Sequence, residues 1–307
     1  MLLLVSKIKA TWKSDDTEEL LDKLFYRPAG YGMAVVSRAL GVTPNGITSI
    51  SILLGVTAGH FFYYRDVTIN LIGVILLITS EAMDAADGQL ARMTNNHSRY
   101  GKIFDGIAGN LMFISIYLHL SARFVVEGGT FWIFAIAIIS GISHSFQCAM
   151  SDYYRNFYLF FTTSRNIGGI DELEDVQETY KTLSWSKDSL KKTFLRLYLN
   201  YTVQQRALSK SILLLYRYVV YQLNGIVPEK LKTEYRKLNR PMIKYGNILT
   251  TNTRMIVLFI TIFWANVLYY FLFDLIILNT LLVYYSIKEE KISAYLLQFV
   301  KEKVSEN

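Results

Sequence analysis

The chain has 307 residues, of which 52% are hydrophobic, and it carries a formal net charge of +7 at pH 7. An average soluble domain is about 45–50% apolar. Here the apolar residues gather in blocks of the roughly 20 residues that a helix needs to cross a bilayer. The basic excess therefore indicates membrane topology and anionic lipid, and no motif for binding nucleic acid is present. The single cysteine, Cys148, excludes an internal disulfide.

Residues 1–45 predict an amphipathic segment at the membrane surface. Between Asp15 and Leu40 charged and apolar residues alternate at helical spacing, interrupted by Pro28 and Gly30. The bases of this segment are Lys7, Lys9, Lys13, Lys23, Arg27 and Arg38. A soluble, solvated helix is the alternative, and we favour a helix in the headgroup region because a predicted span follows at once.

Six apolar runs predict six transmembrane helices. The first begins at Thr43-Pro44-Asn45, since proline is tolerated in the first helical turn. The runs are 46–64, 68–93, 98–124, 130–161, 246–271 and 274–298. All are interpreted as helices, because lipid leaves the backbone no partner outside its own segment. We therefore predict an all-α integral membrane protein with the divisions 1–45, 46–161, 162–245 and 246–307.

Charge in the connections predicts the orientation. Most bases fall on the side that holds both termini, Arg92 and the long 162–245 segment, whereas the other side holds little beyond Arg65 and Arg123. By the positive-inside rule the basic side is cytoplasmic. We expect a bacterial inner membrane protein with its active site facing the cytoplasm.

Residues 162–245 predict a helical insert, cytoplasmic or interfacial, between the fourth and fifth spans. An acidic block opens it and a basic amphipathic stretch follows from Lys187 to Lys210. The acidic residues are Asp171, Glu172, Glu174, Asp175 and Glu178. An extra pair of short spans is the alternative.

A cluster of carboxylates marks the second and third spans. Asp84, Asp87, Gly88 and Ala91 follow i, i+3, i+4 and i+7, so they share one helix face. Gly101 and Asp105 do the same on the third span, at i and i+4. Because the connection is short, the two helices are antiparallel neighbours, and their carboxylates are expected to converge at the cytoplasmic boundary of the membrane.

Converging carboxylates indicate a bound cation. Two such charges at about 4 Å repel by about 4 kcal/mol at an effective dielectric constant near 20. Hard oxygen ligands select Mg²⁺, Mn²⁺ or Ca²⁺. Gly88 and Ala91 leave space on the same face, and Arg92 is suited to pair with a phosphate. The pattern predicts a site for divalent ions and a phosphate-bearing ligand.

The pattern Asp84-x2-Asp87-Gly88-x2-Ala91-Arg92-x8-Gly101-x3-Asp105 resembles the motif of the CDP-alcohol phosphotransferases. The Thr-Pro-Asn start of the first span is similar to that family too. Phe25-Tyr26-Arg27-Pro28 is similar to the corresponding helix of members that handle inositol.

The resemblance implies a reaction in which an alcohol attacks a phosphorus of a CDP-linked lipid or alcohol and CMP leaves. It further implies two Mg²⁺ or Mn²⁺ ions on Asp84, Asp87 and Asp105, and a homodimer. The nucleotide would be bound by Asp84, Gly88, Ala91, Arg92 and Gly101.

One position departs from the family motif. The family motif continues with a fourth aspartate, four residues after the third, and this aspartate is held to be the base. In this chain the corresponding residue is Gly109, and Asn110 follows it. The fourth span carries a polar stripe that offers a replacement: His144, Cys148, Ser151, Asp152 and Arg155.

We predict His144 as the base, because its ordinary pKa suits proton transfer near neutrality, with Asp152 to orient it. Arg155, together with Arg254, is predicted to hold a substrate phosphate. The alternatives are a structural histidine bonded inside the bundle and an Asp152–Arg155 pair at headgroup level.

Several functions remain open at this stage. A CDP-diacylglycerol-like donor with a small polar acceptor such as inositol phosphate is one. Head-group transfer to a lipid hydroxyl, for example to ceramide with an inositol-phosphate ceramide product, is another. The change at Gly109 also allows a metal- and nucleotide-binding membrane protein that has lost turnover. A transporter is disfavoured, because matched helix-breaking residues are not found in two halves.

Overall fold

A computed structural model describes residues 2–12, 14–96, 98–163, 170 and 173–304. All regular structure within these ranges is helical, as predicted. The α-helices are α1 Leu2–Ala10, α2 Arg27–Ala39, α3 Pro44–Phe61, α4 Val67–Thr94, α5 Arg99–Val126, α6 Trp132–Thr163, α7 Leu173–Thr182, α8 Ser189–Ala207, α9 Lys210–Gln222, α10 Glu229–Ile248, α11 Thr251–Trp264, α12 Val267–Leu272 and α13 Asn279–Val304. Two π-helical turns, Asp22–Tyr26 and Phe273–Leu278, lead into α2 and α13.

Five helical segments among the described residues are long and apolar enough to cross a membrane. They are Val67–Thr94, Ile103–Val126, Trp132–Thr163, Glu229–Trp264 and Val267–Glu302. The predicted first span, now α3, is 18 residues long and is not among them. Glu229–Trp264 begins inside the predicted insert. The chain is an integral membrane protein, but the count of six spans is not confirmed, nor is the cytoplasmic insert.

The boundary between the last two predicted spans lies elsewhere in the structure. We placed it near residue 273, whereas α11 ends at Trp264 and α12 begins at Val267. Asn266 caps the new helix, since its side chain accepts a hydrogen bond from the Leu268 backbone N–H at 2.8 Å. Asp274 then lies inside a continuous helical run and is 1% exposed.

The chain forms two compact units. The first comprises Met1–Ile142 and Met255–Phe273, and the second comprises Ser143–Arg254 and Asp274–Asn307. These units divide the chain differently from the four predicted segments, whose boundaries stay a prediction.

The core of the first unit forms where α3, α4 and α5 meet α11 and α12. Phe62, Leu77, Ile116 and Phe271 are among its fully buried side chains. Within this core α3 and α4 are also linked by polar groups, since the Ser51 hydroxyl donates to the Ser80 carbonyl at 3.1 Å. The packing fixes α4 and α5, the helices that carry the carboxylates.

The N-terminal segment packs directly on α4. Gln89 of α4 donates hydrogen bonds to Thr11 Oγ1 at 2.9 Å and to the Arg27 carbonyl at 3.1 Å. Arg27 in turn pairs with Glu18 at 2.8 Å. Pro28 lies in the first turn of α2, where it does not interrupt the helix.

An apolar face of the N-terminal segment is exposed, as an amphipathic segment requires. Its large side chains include Leu20, Leu24, Val36 and Leu40. Its location in the headgroup region stays a prediction.

Replacing Gly30 by Ala is expected to destabilise the protein by about 1–3 kcal/mol, the range for overpacking a tight interface. A Cβ atom there would lie 3.0 Å from the Ala86 backbone nitrogen and 3.1 Å from the Ala82 carbonyl oxygen, neither of which can move alone. Gly32→Ala is the matched control, since a Cβ at Gly32 meets nothing within 4 Å. That change should stabilise helix α2 by about 0.5–1 kcal/mol. Thermal unfolding of both variants in detergent is the measurement, and equal shifts would contradict the close contact.

The second unit packs α9 and α10 against α13 and α7 against α8. Glu174 of the predicted acidic block pairs with Arg206 of the predicted basic stretch at 2.7 Å and with Arg217 at 3.7 Å. Asp171 and Glu172 of the same block lie outside the described residues. The segment between the fourth and fifth predicted spans therefore has internal charge pairing between its two halves.

Candidate metal centre

Three carboxylates of the first unit converge as their helix spacing predicted. Asp84 and Asp87 come from α4 and Asp105 from α5, and one ligand oxygen from each lies within 4.8 Å of the others. Asp87 is buried, and the other two are half-buried. Carboxylate oxygens this close to one another could coordinate the same divalent cations.

The two helices run antiparallel across a short connection. α4 ends at Asn95, whose left-handed backbone (φ +50°) closes the helix, and α5 begins after Ser98, whose side chain accepts from the Gly101 N–H at 2.9 Å. Further along, Ser80 Oγ of α4 contacts Met112 Sδ of α5 at 3.9 Å. Two contacts therefore define how α4 and α5 are aligned along their length. One is the meeting of the carboxylates, and the other is the contact between Ser80 and Met112.

Thr48 of α3 orients one of the carboxylates, and the sequence reasoning missed it. Its hydroxyl donates a hydrogen bond to Asp87 Oδ2 at 2.5 Å. Helix α3 is started by Thr43, whose hydroxyl accepts from the Gly46 N–H at 3.2 Å, with Pro44 in the first turn. The available signal was the position of Thr48, one turn beyond this Thr-Pro-Asn start.

The donor set fits a hard divalent ion. It consists of carboxylate oxygens only, which Mg²⁺ and Mn²⁺ prefer over softer ligands. The carboxylates approach one another in surroundings that screen charge less than water does, and their mutual repulsion favours the binding of a cation. Their roles as ligands stay a prediction that this geometry supports.

Arg92 lies beside the cluster with unused hydrogen-bonding capacity. Its guanidinium covers Gly88, where a Cβ atom would lie 3.4 Å from Nη1 and 3.5 Å from Nη2. Nε and Nη2 are buried and have no hydrogen-bond partner within the described ranges. A buried guanidinium with free donors is costly unless an anion satisfies it. Phosphate matches its planar fork of donors.

The remaining residues of the predicted nucleotide site lie near the ends of α4 and α5. Gly101 lies in the first turn of α5, and a Cβ there would meet Ser98 Oγ at 2.9 Å and Asn45 Oδ1 at 3.5 Å. Ala91 is half-buried in the last turn of α4. Gly101 therefore lies where the starts of α3 and α5 come together, and the contact of Gly101 and Ala91 with a nucleotide stays a prediction.

Arg254 of the second unit is buried and contacts several protein groups. It is 1% exposed, its Nε lies 3.4 Å from Asp274 Oδ1, and its Nη1 donates to the Thr250 carbonyl at 3.1 Å. It also donates to Gln147 Oε1 and to the Leu249 carbonyl. The phosphate-binding role predicted for Arg254 is untested, and the observed partners indicate a structural ion pair.

The predicted stripe on α6 has partners within the second unit as well. Asp152 accepts a hydrogen bond from the Tyr201 hydroxyl at 2.8 Å and pairs with Arg155 at 3.8 Å. Arg155 also donates to Asn247 Oδ1 at 3.0 Å. His144 is buried. The Asp152–Arg155 pair is the arrangement expected of the structural alternative, and the catalytic roles of His144 and Asp152 stay predictions.

Comparison with known proteins agrees with this geometry. Residues 41–153 match the model of the family described as CDP-alcohol phosphatidyltransferase. The archaetidylinositol phosphate synthase of Pyrococcus horikoshii is 35% identical to the chain over 78 residues. That match covers 25% of this chain and 40% of the relative. No solved structure matches the chain.

Proposed function

Because residues 41–153 match the model of the CDP-alcohol phosphatidyltransferase family, we propose that the chain transfers a substituted phosphate from a CDP-linked donor to an alcohol and releases CMP. The observation that carries the proposal is the meeting of three carboxylates beside Arg92, whose buried Nε and Nη2 atoms have no hydrogen-bond partner among the described residues. Divalent ions would offset the negative charge of the three carboxylates. A pyrophosphate would accept hydrogen bonds from Arg92 and offset its positive charge.

The mechanism follows from what the side chains offer. Divalent ions, when bound, neutralise the charge that develops on the phosphoryl oxygens and the leaving group. Asp84, Asp87 and Asp105 would hold these ions, and Thr48 fixes the orientation of Asp87. Arg92 would bind a phosphate of the donor. Most of the acceleration then comes from positioning and charge neutralisation.

The nucleotide would lie against the small residues of the motif. Gly88, Ala91 and Gly101 would make room for the cytidine. Two ions, Mg²⁺ or Mn²⁺, are proposed because three carboxylates and a pyrophosphate together supply enough oxygen ligands for both.

The acceptor proposed first is an inositol phosphate, with a CDP-linked lipid as donor. Support comes from the printed name of the Pyrococcus horikoshii relative and from the Phe25–Pro28 segment. A ceramide or diacylglycerol hydroxyl is the acceptor to test against it. Arg155 of α6, whose side chain is half-buried, would hold the acceptor phosphate.

The location of the reaction is part of the same proposal. The proposed active site faces the cytoplasm at a bacterial inner membrane, and the basic connections between the predicted spans support this orientation by the positive-inside rule. The homodimer implied by the family resemblance also belongs to the proposal.

The decisive experiment incubates the purified protein in lipid nanodiscs with Mn²⁺ or Mg²⁺, radiolabelled CDP-lipid and a panel of alcohols. CMP release that requires both an acceptor and a divalent ion, and stops with a chelator, is the expected result. Intact nucleotide with every acceptor, despite measurable binding of the CDP-lipid, would overturn the proposal. It would favour a metal- and nucleotide-binding protein without turnover.

A further inference from the structure

An alcohol that attacks phosphorus must lose its proton, and a positioned carboxylate or imidazole is the usual acceptor. Gly109 and Asn110 next to the metal centre cannot serve. We propose that Glu81 of α4 takes this proton, an inference that rests on the proposed function of the same site.

Glu81 lies on the face of α4 that carries the metal centre. It precedes Asp84 by three residues and Gly88 by seven, so the three side chains form one stripe. It is half-buried, which leaves its carboxylate within reach of a ligand. The group of carboxylates whose ligand oxygens lie within 4.8 Å of one another consists of Asp84, Asp87 and Asp105 and does not include Glu81. Among the described carboxylates of this stripe, Glu81 is therefore outside the ligand group.

The register of the two helices places Glu81 opposite Gly109. Asp84 of α4 meets Asp105 of α5, and Ser80, one turn further along α4, contacts Met112, two turns further along α5, at 3.9 Å. Positions 81 and 109 both fall between these two levels, on facing antiparallel helices. The carboxylate of Glu81 on α4 thus lies between the same two levels as position 109 on α5, where the family motif has its fourth aspartate. Its extra methylene relative to aspartate extends its reach across the gap.

The space in front of Gly109 is open. A Cβ atom built at Gly106 or Gly109 meets nothing within 4 Å, so both positions of α5 near Asp105 leave open space. Glu81 is within electrostatic range of Asp105 and of Asp22 and Glu19 in the N-terminal segment. Tyr26 is close as well. An acceptor hydroxyl entering beside Gly109 would lie between the metal centre and Glu81.

The proposed step balances without another reactant. The hydroxyl oxygen forms a bond to the phosphorus next to the lipid group, and its proton passes to a carboxylate oxygen of Glu81. The bond from that phosphorus to the bridging oxygen breaks, and the electron pair leaves with CMP.

Glu81→Gln tests the inference, because it keeps the shape of the side chain and removes the proton acceptor. CMP release should fall by about 10²–10⁴-fold, the usual contribution of a general base. Mn²⁺ binding, measured by electron paramagnetic resonance, should be unchanged, as should the thermal stabilisation by CDP-lipid. Lost Mn²⁺ binding would overturn the inference, because Glu81 would then serve the ions.

A second variant keeps the test independent of folding defects. Gly109→Asp in the Glu81→Gln background supplies a carboxylate at the same depth from α5, where the space is open, and should restore part of the lost rate. Failure of this rescue, while Mn²⁺ binding is intact, would contradict the shared position.

His144→Ala is the competing variant. If it lowers turnover by the factor expected for a base and Glu81→Gln leaves turnover unchanged, the proton goes to His144 and the inference fails. An unmutated protein that releases no CMP with any acceptor overturns the proposed function itself. The two failures are therefore distinguishable.

Discussion

Asp105→Asn is expected to lower CMP release by at least about 10³-fold. Metal ions contribute several kcal/mol to the stabilisation of a phosphoryl transition state, and each 1.36 kcal/mol is a factor of ten in rate. Asp105 is the only member of the three-carboxylate group that comes from α5. An amide there keeps the volume and removes one of the three charges that are proposed to hold the ions.

Asp175→Asn is the matched control for this variant, since it makes the same chemical change at an exposed position of α7. It should leave both Mn²⁺ affinity and CMP release unchanged. The measurement combines the radiolabel assay with Mn²⁺ titration, and Asp105→Asn should weaken both. An Asp105→Asn protein that turns over normally would remove the metal centre from the mechanism.

Asp274→Leu is expected to destabilise the protein by about 3–5 kcal/mol, because it strands the guanidinium of Arg254 without its counter-charge. The two side chains are each 1% exposed and lie 3.4 Å apart. Arg254→Met in the same protein removes the stranded charge as well. The double variant should therefore recover most of the loss, since replacing a whole buried pair with apolar groups is often neutral.

Thermal unfolding in detergent, read as a double-mutant cycle, is the measurement for this pair. The exposed Arg206–Glu174 pair supplies the control: Glu174→Gln should cost no more than about 1 kcal/mol. A double variant as unstable as the sum of the two single ones would show that Arg254 and Asp274 do not act as a pair.

The convergence of the carboxylates was predictable because it depends on local rules. Spacing of three and four residues puts Asp84 and Asp87 on one face, and a connection of a few residues forces the next helix to return beside it. The same rules place Gly101 and Asp105. Thr48 was not found, because its contact with Asp87 depends on how α3 packs against α4, and the only local signal was its position one turn beyond the start of α3.

The count and limits of the spans were less predictable for a similar reason. Helix α3 buries small polar residues such as Ser51 against α4, which lowers its apolar content although it packs in the core. The turn before Val267 contains neither glycine nor proline, and only the capping hydrogen bond of Asn266 defines it. The pairing of Arg254 with Asp274 joins residues 20 positions apart, which no helical periodicity connects.

The Arg254–Asp274 pair also bears on how the chain enters the bilayer. The two residues lie on consecutive helices, one on each side of the turn at Asn266. Either charge, inserted alone near the centre of a span, costs about 2.5–3.5 kcal/mol. A neutral pair avoids that penalty for both segments at once. The two helical segments on either side of Asn266 should therefore move from the translocation machinery into lipid together, as one helical hairpin. The segment that carries Arg254 should enter the lipid only after the segment that carries Asp274 has been made.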